Sequence, residues 1–248
     1  MATILCVTAH PDDEAANFGG TVGHYAGRGV GAHLICLTAG EAARNRGGAA
    51  NSAALQAMRR AELAESCRTI GFAGHEVWDL PDGGLPRSAF YPLVGRLVAA
   101  LRRLRPRVVL TMGPEGSVTA HPDHAMAGVV TTAAFHWAAD ERYFPEQNLA
   151  SHRAERLYYS TAPMQPPRFP QVALPFSDVA MAIEDFLETK IAAFRCHLSQ
   201  APLFDRVEAV LRSFGARELF HLEAGVALPA AARGADGLGN DLFAGLGN

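Results

Sequence analysis

Short apolar runs alternate with longer amphipathic stretches over the first 140 residues. The apolar runs predict strands at Thr3–Thr8, Gly31–Leu37, His75–Trp78 and Arg107–Thr111. The amphipathic stretches predict helices at Glu14–Arg28, Ser52–Ile70, Ser88–Arg103 and Pro122–Ala138. Strands and helices that alternate at these lengths are typical of a parallel sheet with helices on both faces. We therefore expect a Rossmann-like, doubly wound α/β fold.

After residue 140 the alternation of strand-like and helix-like segments becomes less regular. The elements predicted there are a strand at Arg156–Ser160, a proline-rich loop at Pro163–Pro175, helices at Asp178–His197 and Leu203–Phe214, and a short strand at Glu218–Leu222. No second core is large enough to stand alone. We expect one domain over residues 1–228, with a core at 1–140 and a smaller substrate-side region at 141–228. An Ala/Gly-rich tail follows at 229–248, with Leu242-Phe243 as its apolar anchor.

Composition and charge narrow the functional class. Of the 248 residues, 49% are hydrophobic and 19% charged, which is usual for a globular protein with a substantial core. The formal net charge of -3 and the scattered arginines give no reason to expect nucleic-acid binding. The four cysteines include no CxxC pair, so neither a disulfide framework nor a Cys-based zinc site is expected. Since no signal peptide or membrane span is recognisable, we expect a cytoplasmic protein.

Two histidine-proline-aspartate motifs follow two of the predicted strands. His10-Pro11-Asp12-Asp13-Glu14 comes after the first strand, and His121-Pro122-Asp123-His124 comes after the fourth. A proline suits the first position of a helix, and carboxylates in the first turn complement the helix dipole. In a doubly wound sheet the first and fourth strands are neighbours at the topological switch point. The motifs are therefore expected to face one crevice.

Two histidines and one carboxylate, with positions left open for water, form a recurring catalytic zinc site. A further carboxylate can receive the proton of the attacking water. The spacing leaves open which aspartate binds metal and which acts as the base. It also leaves open whether His121 or His124 contacts the metal. Two less favoured alternatives are a non-haem Fe(II) oxygenase, which uses a similar triad, and a non-catalytic metal-binding protein.

Together, the two motifs resemble those of the LmbE-like, PIG-L family of zinc-dependent N-deacetylases. The similarity continues through Leu37–Glu41, Arg59-x-x-Glu62, Asp82-Gly83 and Gly113–Gly116, and covers roughly the first 140 residues. The resemblance implies an enzyme that removes the acetyl group from an N-acetylglucosamine-type sugar or glycoconjugate, releasing acetate and a free amine. A zinc amidase acting on a related amide is the alternative within this class. The identity of the substrate and a homo-oligomeric state remain open.

The resemblance also implies roles for individual residues. It assigns one Zn²⁺ per chain, or another divalent metal such as Fe²⁺, to His10, Asp13 and His124. It implies that Asp12 is the general base. It also implies that His121 stabilises the oxyanion and, in addition, protonates the leaving amine. It makes Asp123 the carboxylate that orients a histidine, and Arg59 and Asp82 substrate contacts. Glu14 is expected to support the turn without binding metal.

Several of these residues also have ordinary structural explanations. Arg59 and Glu62 have the spacing of a helical ion pair, and Asp82-Gly83-Gly84 is a common turn sequence. Glu41 and Arg44 can line the pocket, although solvated positions explain them better. The remaining histidines are expected at the surface or in the core: His24, His33, His75, His136, His152, His197 and His221. The Pro163–Pro175 loop is a candidate cover for the crevice.

Overall fold

The computed structural model describes residues 3–163 and 172–247. The strands are β1 (Thr3–Thr8), β2 (Gly31–Thr38), β3 (Gly74–Leu80), β4 (Val108–Met112), β5 (Arg156–Thr161), β6 (Val179–Ala182) and β7 (Arg217–Gly225). The α-helices are α1 (Asp13–Ala26), α2 (Ser52–Ile70), α3 (Phe90–Leu104), α4 (Pro122–Ala138), α5 (Leu187–Arg195) and α6 (Phe204–Ser213). Most of the predicted Pro163–Pro175 loop lies outside the described residues.

The seven strands form one sheet in the order β3-β2-β1-β4-β5-β7-β6. The first five are parallel, and β7 and β6 add an antiparallel edge. β1 lies between β2 and β4, with Ile4 opposite both Ala32 and Val108. This order confirms the doubly wound fold and places the ends of β1 and β4 side by side at the switch point.

Side chains of the central strand alternate between two cores. Leu5 and Val7 pack on one face of the sheet with the apolar residues of α3 and α4. Ile4 and Cys6 pack on the other face with those of α1, α2 and α5. All four are buried. A strand covered on both faces reads as a continuous apolar run, which explains why the sequence predicts β1 so clearly.

The predicted single helix at Asp178–His197 is wrong in its first half. Residues Val179–Ala182 form the edge strand β6, paired antiparallel with β7, and the helix begins only at Leu187. Val179 and Met181 are buried in the sheet edge. Their short apolar run fits helical spacing equally well, and only the pairing with β7 decides between the two structures.

The C-terminal segment is attached to the sheet through a buried arginine. Arg156 of β5 is fully buried, and its guanidinium donates to the backbone carbonyls of Val226, Leu242 and Ala244. Leu242 is itself fully buried. Buried guanidinium donors need partners, and here the tail supplies two of them.

Glycines in α1 allow the segment around α5 to approach closely. A Cβ at Gly20 would lie 2.6 Å from the side chain of Ile183, and one at Gly23 would lie 2.9 Å from Phe186. Behind them, the buried Lys190 of α5 pairs with Glu218 of β7. Glu218 also accepts the backbone N–H of Gly20 at 2.9 Å. These contacts join the C-terminal third to the helix whose N-terminus carries the first motif.

Within the described residues, no helix has both the length and the apolar character needed to span a bilayer.

Candidate active site

The turn after β1 holds Asp12 in an unusual backbone conformation. Asp12 has φ 105°, in the left-handed region, and α1 begins only at Asp13. The expectation that Pro11 occupies the first helical position is therefore wrong. The N–H of Asp12 donates to Glu14 Oε2 at 2.9 Å, which holds the turn in this strained form. Strain of this kind persists where the surroundings enforce it, commonly at active sites.

The carboxylate of Asp12 is held by Arg59. The guanidinium of Arg59 donates to Asp12 Oδ2 at 2.9 Å, to Gly40 O at 3.0 Å and to Pro11 O. Arg59 is almost fully buried. Burial raises the pKa of Asp12 to about 6, although Arg59 acts in the opposite direction. A carboxylate with such a pKa can both take up and return a proton near neutrality.

Behind Asp12 lies a buried pair that the sequence analysis did not find. His197 Nε2 lies 2.7 Å from Glu14 Oε1, and Ser66 donates to the same oxygen. Glu14, His197 and Ser66 are all completely buried. Burial alone would raise the pKa of Glu14, but His197 holds it below its usual value. Glu14 therefore links a histidine from the C-terminal third to the backbone of Asp12.

The second motif forms the start of α4 as predicted. Pro122 is the first helical residue, and His121 is the N-cap, its Nδ1 accepting the N–H of Asp123 at 3.2 Å. Burial, together with His10 and His124, lowers the pKa of His121, which favours the neutral ring. Because Nδ1 accepts a hydrogen bond, the single ring proton of neutral His121 lies on Nε2. His121 is thus equipped to donate a hydrogen bond.

Three potential metal donors converge between the two motifs. His10 Nδ1 lies 3.2 Å from His124 Nε2 and 3.6 Å from Asp13 Oδ2. His124 Nε2 lies 3.2 Å from Asp13 Oδ1. Donors about 2.1 Å from a tetrahedral zinc ion are roughly 3.4 Å apart, so this spacing fits such an ion. The structure therefore brings together His10, Asp13 and His124, and a ring nitrogen of His121 lies within 4.8 Å of those of His10 and His124.

The ring nitrogens of His10 and His124 that are not used in the cluster lie within hydrogen-bonding distance of other side chains. His10 Nε2 lies 3.0 Å from Asp82 Oδ1 and 3.3 Å from Asp123 Oδ2, and His124 Nδ1 lies 3.0 Å from Thr119 Oγ1. With carboxylates on Nε2, the lone pair of a neutral His10 is on Nδ1 and faces the cluster. Metal-binding histidines characteristically donate their other N–H in this way. The donor set thus fits a divalent cation.

Asp82 and Asp123 share the support of His10, and backbone amides fix both of them. Asp123 is fully buried and accepts the N–H groups of Gly83 at 2.7 Å and Leu85 at 3.1 Å. Asp82 accepts the N–H of Ala42. His10, Asp82 and Asp123 also form a second group with donor atoms within 4.8 Å of one another. Asp123 contacts His10 through its side chain and His121 only through its backbone N–H.

The structure gives Arg59 and Asp82 partners within the protein. Arg59 pairs with Asp12 and not with Glu62, whose carboxylate accepts from Ser199. Asp82 lies against His10, and its own N–H donates to Glu41 Oε1. Glu41 therefore has a structural contact, contrary to the solvated position favoured from the sequence. Arg44, which is exposed, lines the cleft.

The two motifs open into one cleft of about 650 Å³. Asp12, Asp13 and the three histidines of the two motifs contribute to it, as do Arg59 and Asp82. Asn17 and Ser160 lie on the same surface, where Ser160 donates to Asn17 Oδ1 at 3.1 Å. A cleft of this size suits a small organic ligand. The site is therefore open to a substrate at the point where the donors converge.

Comparison with known proteins agrees with this geometry. Residues 5–135 match the family model described as PIG-L, GlcNAc-PI de-N-acetylase. The chain belongs to the PIG-L family. The 1D-myo-inositol 2-acetamido-2-deoxy-alpha-D-glucopyranoside deacetylase of Acidothermus cellulolyticus is 31% identical over 99% of this chain and 96% of its own length. The family resemblance inferred from the two motifs is thereby confirmed.

The chain is also similar to two other hydrolases with different names. The mycothiol S-conjugate amidase of Streptomyces coelicolor is 29% identical over 63% of this chain and 60% of its own. The N,N'-diacetylchitobiose deacetylase of Pyrococcus horikoshii superposes with a TM-score of 0.77 at 23% identity, covering 89% of this chain and 83% of that one. The second likeness concerns the fold alone.

Proposed function

We propose that this PIG-L protein is a zinc-dependent hydrolase that removes the acetyl group from an N-acetylglucosamine-type substrate. The observation that carries the proposal is the convergence of His10, Asp13 and His124 in a cleft that Asp12 and His121 also line. The deacetylase from Acidothermus cellulolyticus, related along nearly the whole chain, supports the reaction type. Acetate and a free amine are the products.

Zinc at His10, Asp13 and His124 would polarise the amide carbonyl and lower the pKa of a water molecule toward about 7. Asp12 takes the proton of the attacking water. His121 donates its Nε2–H to the carbonyl oxygen as negative charge develops there. Because His121 holds its single ring proton for that bond, Asp12 returns the proton to the leaving nitrogen. Glu14 and Arg59 keep Asp12 in place throughout.

The test is acetate release by protein stripped of metal with a chelator and reloaded with Zn²⁺ or Fe²⁺. The substrates are N-acetylglucosaminyl-inositol and N,N'-diacetylchitobiose, and metal is quantified in each sample. Asp12→Asn should lower kcat by about 10²–10⁴ with metal still bound. The matched control is Asp79→Asn, since Asp79 is an exposed β3 residue outside the cleft. If the loaded protein releases no acetate from any N-acetylglucosaminide, the proposal is wrong.

An amidase acting on a larger acyl group is the second candidate. It is supported by the relative from Streptomyces coelicolor, named a mycothiol S-conjugate amidase. The same residues would serve both reactions, since each hydrolyses an amide. Release of a longer acid in preference to acetate, measured on matched N-acyl glucosamines, would favour the amidase.

A further inference from the structure

One wall of the active-site cleft is apolar. Val207, Val210 and Leu211 of α6, with Phe214 just beyond the helix, follow at i, i+3, i+4 and i+7 and so share one face. Phe194 of α5 and Leu203 also line the cleft. We call these six residues the α6 wall. They lie in the same continuous cleft as Asp12 and His121.

The opposite face of α6 is polar and already engaged. Glu208 pairs with Arg195 at 2.6 Å and with Arg212 at 2.9 Å, and Arg212 also pairs with Glu188. Val210, by contrast, remains 37% exposed, so the described residues do not cover it. The helix therefore turns its apolar stripe toward the cleft, whereas Glu208 and Arg212 lie outside the cleft lining.

The buried polar residues beside the α6 wall find their partners within the protein. Lys190 and Glu218 pair with each other, and the side chain of Gln200 donates to Asn45 O. Arg206 and Arg217 are the exposed charges that also line the cleft. A polyol laid against the α6 wall would lose hydration without gaining partners from its apolar side chains, whereas an alkyl or aryl group would bury apolar surface there.

We propose that the α6 wall is a subsite for an apolar aglycone, so that the substrate is an N-acetylglucosaminide carrying an alkyl or aryl group. The inference rests on the proposed deacetylase function, because the acetamide of the same molecule must reach Asp12 and His121. Continuity of the cleft between the two sets of residues supplies the link.

The test compares methyl, butyl and octyl N-acetylglucosaminides with N-acetylglucosaminyl-inositol, all below their micelle concentrations. Full burial of one methylene corresponds to about a fourfold gain in kcat/KM. We expect butyl to exceed methyl by at least about tenfold, and the inositol compound to fall below butyl. A flat series, or a preference for inositol, overturns the subsite and leaves the deacetylase intact. No acetate from any of the four compounds would instead refute the proposed function.

Two variants locate the effect. Val210→Asn should reduce the butyl-to-methyl ratio of kcat/KM several-fold, and Val210→Phe should penalise octyl more than methyl because it fills the subsite. Val226→Asn is the matched control, since Val226 is 48% exposed and lies outside the cleft. If Val210→Asn lowers the melting temperature but leaves the ratio unchanged, the α6 wall packs against the chain itself and the proposal is wrong.

Discussion

Replacement of His197 by alanine tests whether the buried pair with Glu14 supports both stability and catalysis. Both side chains are completely buried, and the pair is 2.7 Å apart. Removing one member of a buried ion pair costs about 3–5 kcal/mol, because the other charge is left without a partner. For a chain of this size each kcal/mol lowers the melting temperature by about 2–4 °C, so we expect a loss of roughly 10 °C.

The assay combines denaturant unfolding with steady-state kinetics and metal analysis. His197→Ala should also lower kcat with bound metal retained, since Glu14 then holds the backbone of Asp12 less firmly. His197→Gln keeps an N–H donor and should recover part of both losses. The control is His152→Ala: within the part of the chain that the structure describes, the side chain of His152 makes one hydrogen bond, with Pro106 O at 2.7 Å, and its loss should cost only about 1 kcal/mol.

A double-mutant cycle of His197→Ala with Glu14→Gln tests whether the two side chains stabilise the protein as a pair. If the two residues act as a pair, the double variant should be less destabilised than the sum of the singles by at least about 1 kcal/mol. The reasoning is refuted if the two effects add, or if His197→Ala is no more destabilising than His152→Ala.

Three further changes probe the site and its support. Arg59→Met should lower kcat far more than it changes KM in steady-state assays, because Arg59 holds Asp12; a raised KM alone would favour the substrate contact instead. His121→Ala should lower kcat by about 10²–10³ while metal analysis still finds one ion per chain, and near-normal turnover would contradict its role. Gly20→Ala should destabilise the protein by about 1–3 kcal/mol in urea melts, since its Cβ would lie 2.6 Å from Ile183; unchanged stability would show that Ile183 relaxes freely.

The central sheet and the approach of His10 to His124 were predictable because their signals are local. β1 is one uninterrupted apolar run between two cores, and the motif that follows it carries its own turn and helix start. The general order of strands in doubly wound folds then brings His10 and His124 together without further information. The family resemblance assigned their roles.

Other features depend on contacts that sequence spacing does not reveal. The positive φ of Asp12 could not be predicted, because it occurs at a residue other than glycine. It is enforced by Glu14 and Arg59. The edge strand β6 exists because β7 is there to pair with it. His197 is 183 positions from Glu14 and resembles any isolated histidine in the sequence.

The pairing of Glu14 with His197 also limits how far this enzyme can be divided into modules. The family match ends at residue 135, and every metal ligand and catalytic residue proposed above lies before it. Yet the turn that carries Asp12 is anchored by a side chain contributed long after that point. A chimaera in which the C-terminal third is replaced, in order to change the specificity, therefore needs a histidine equivalent to His197. Recombination in this scaffold is constrained by one buried hydrogen bond as much as by the proposed metal ligands.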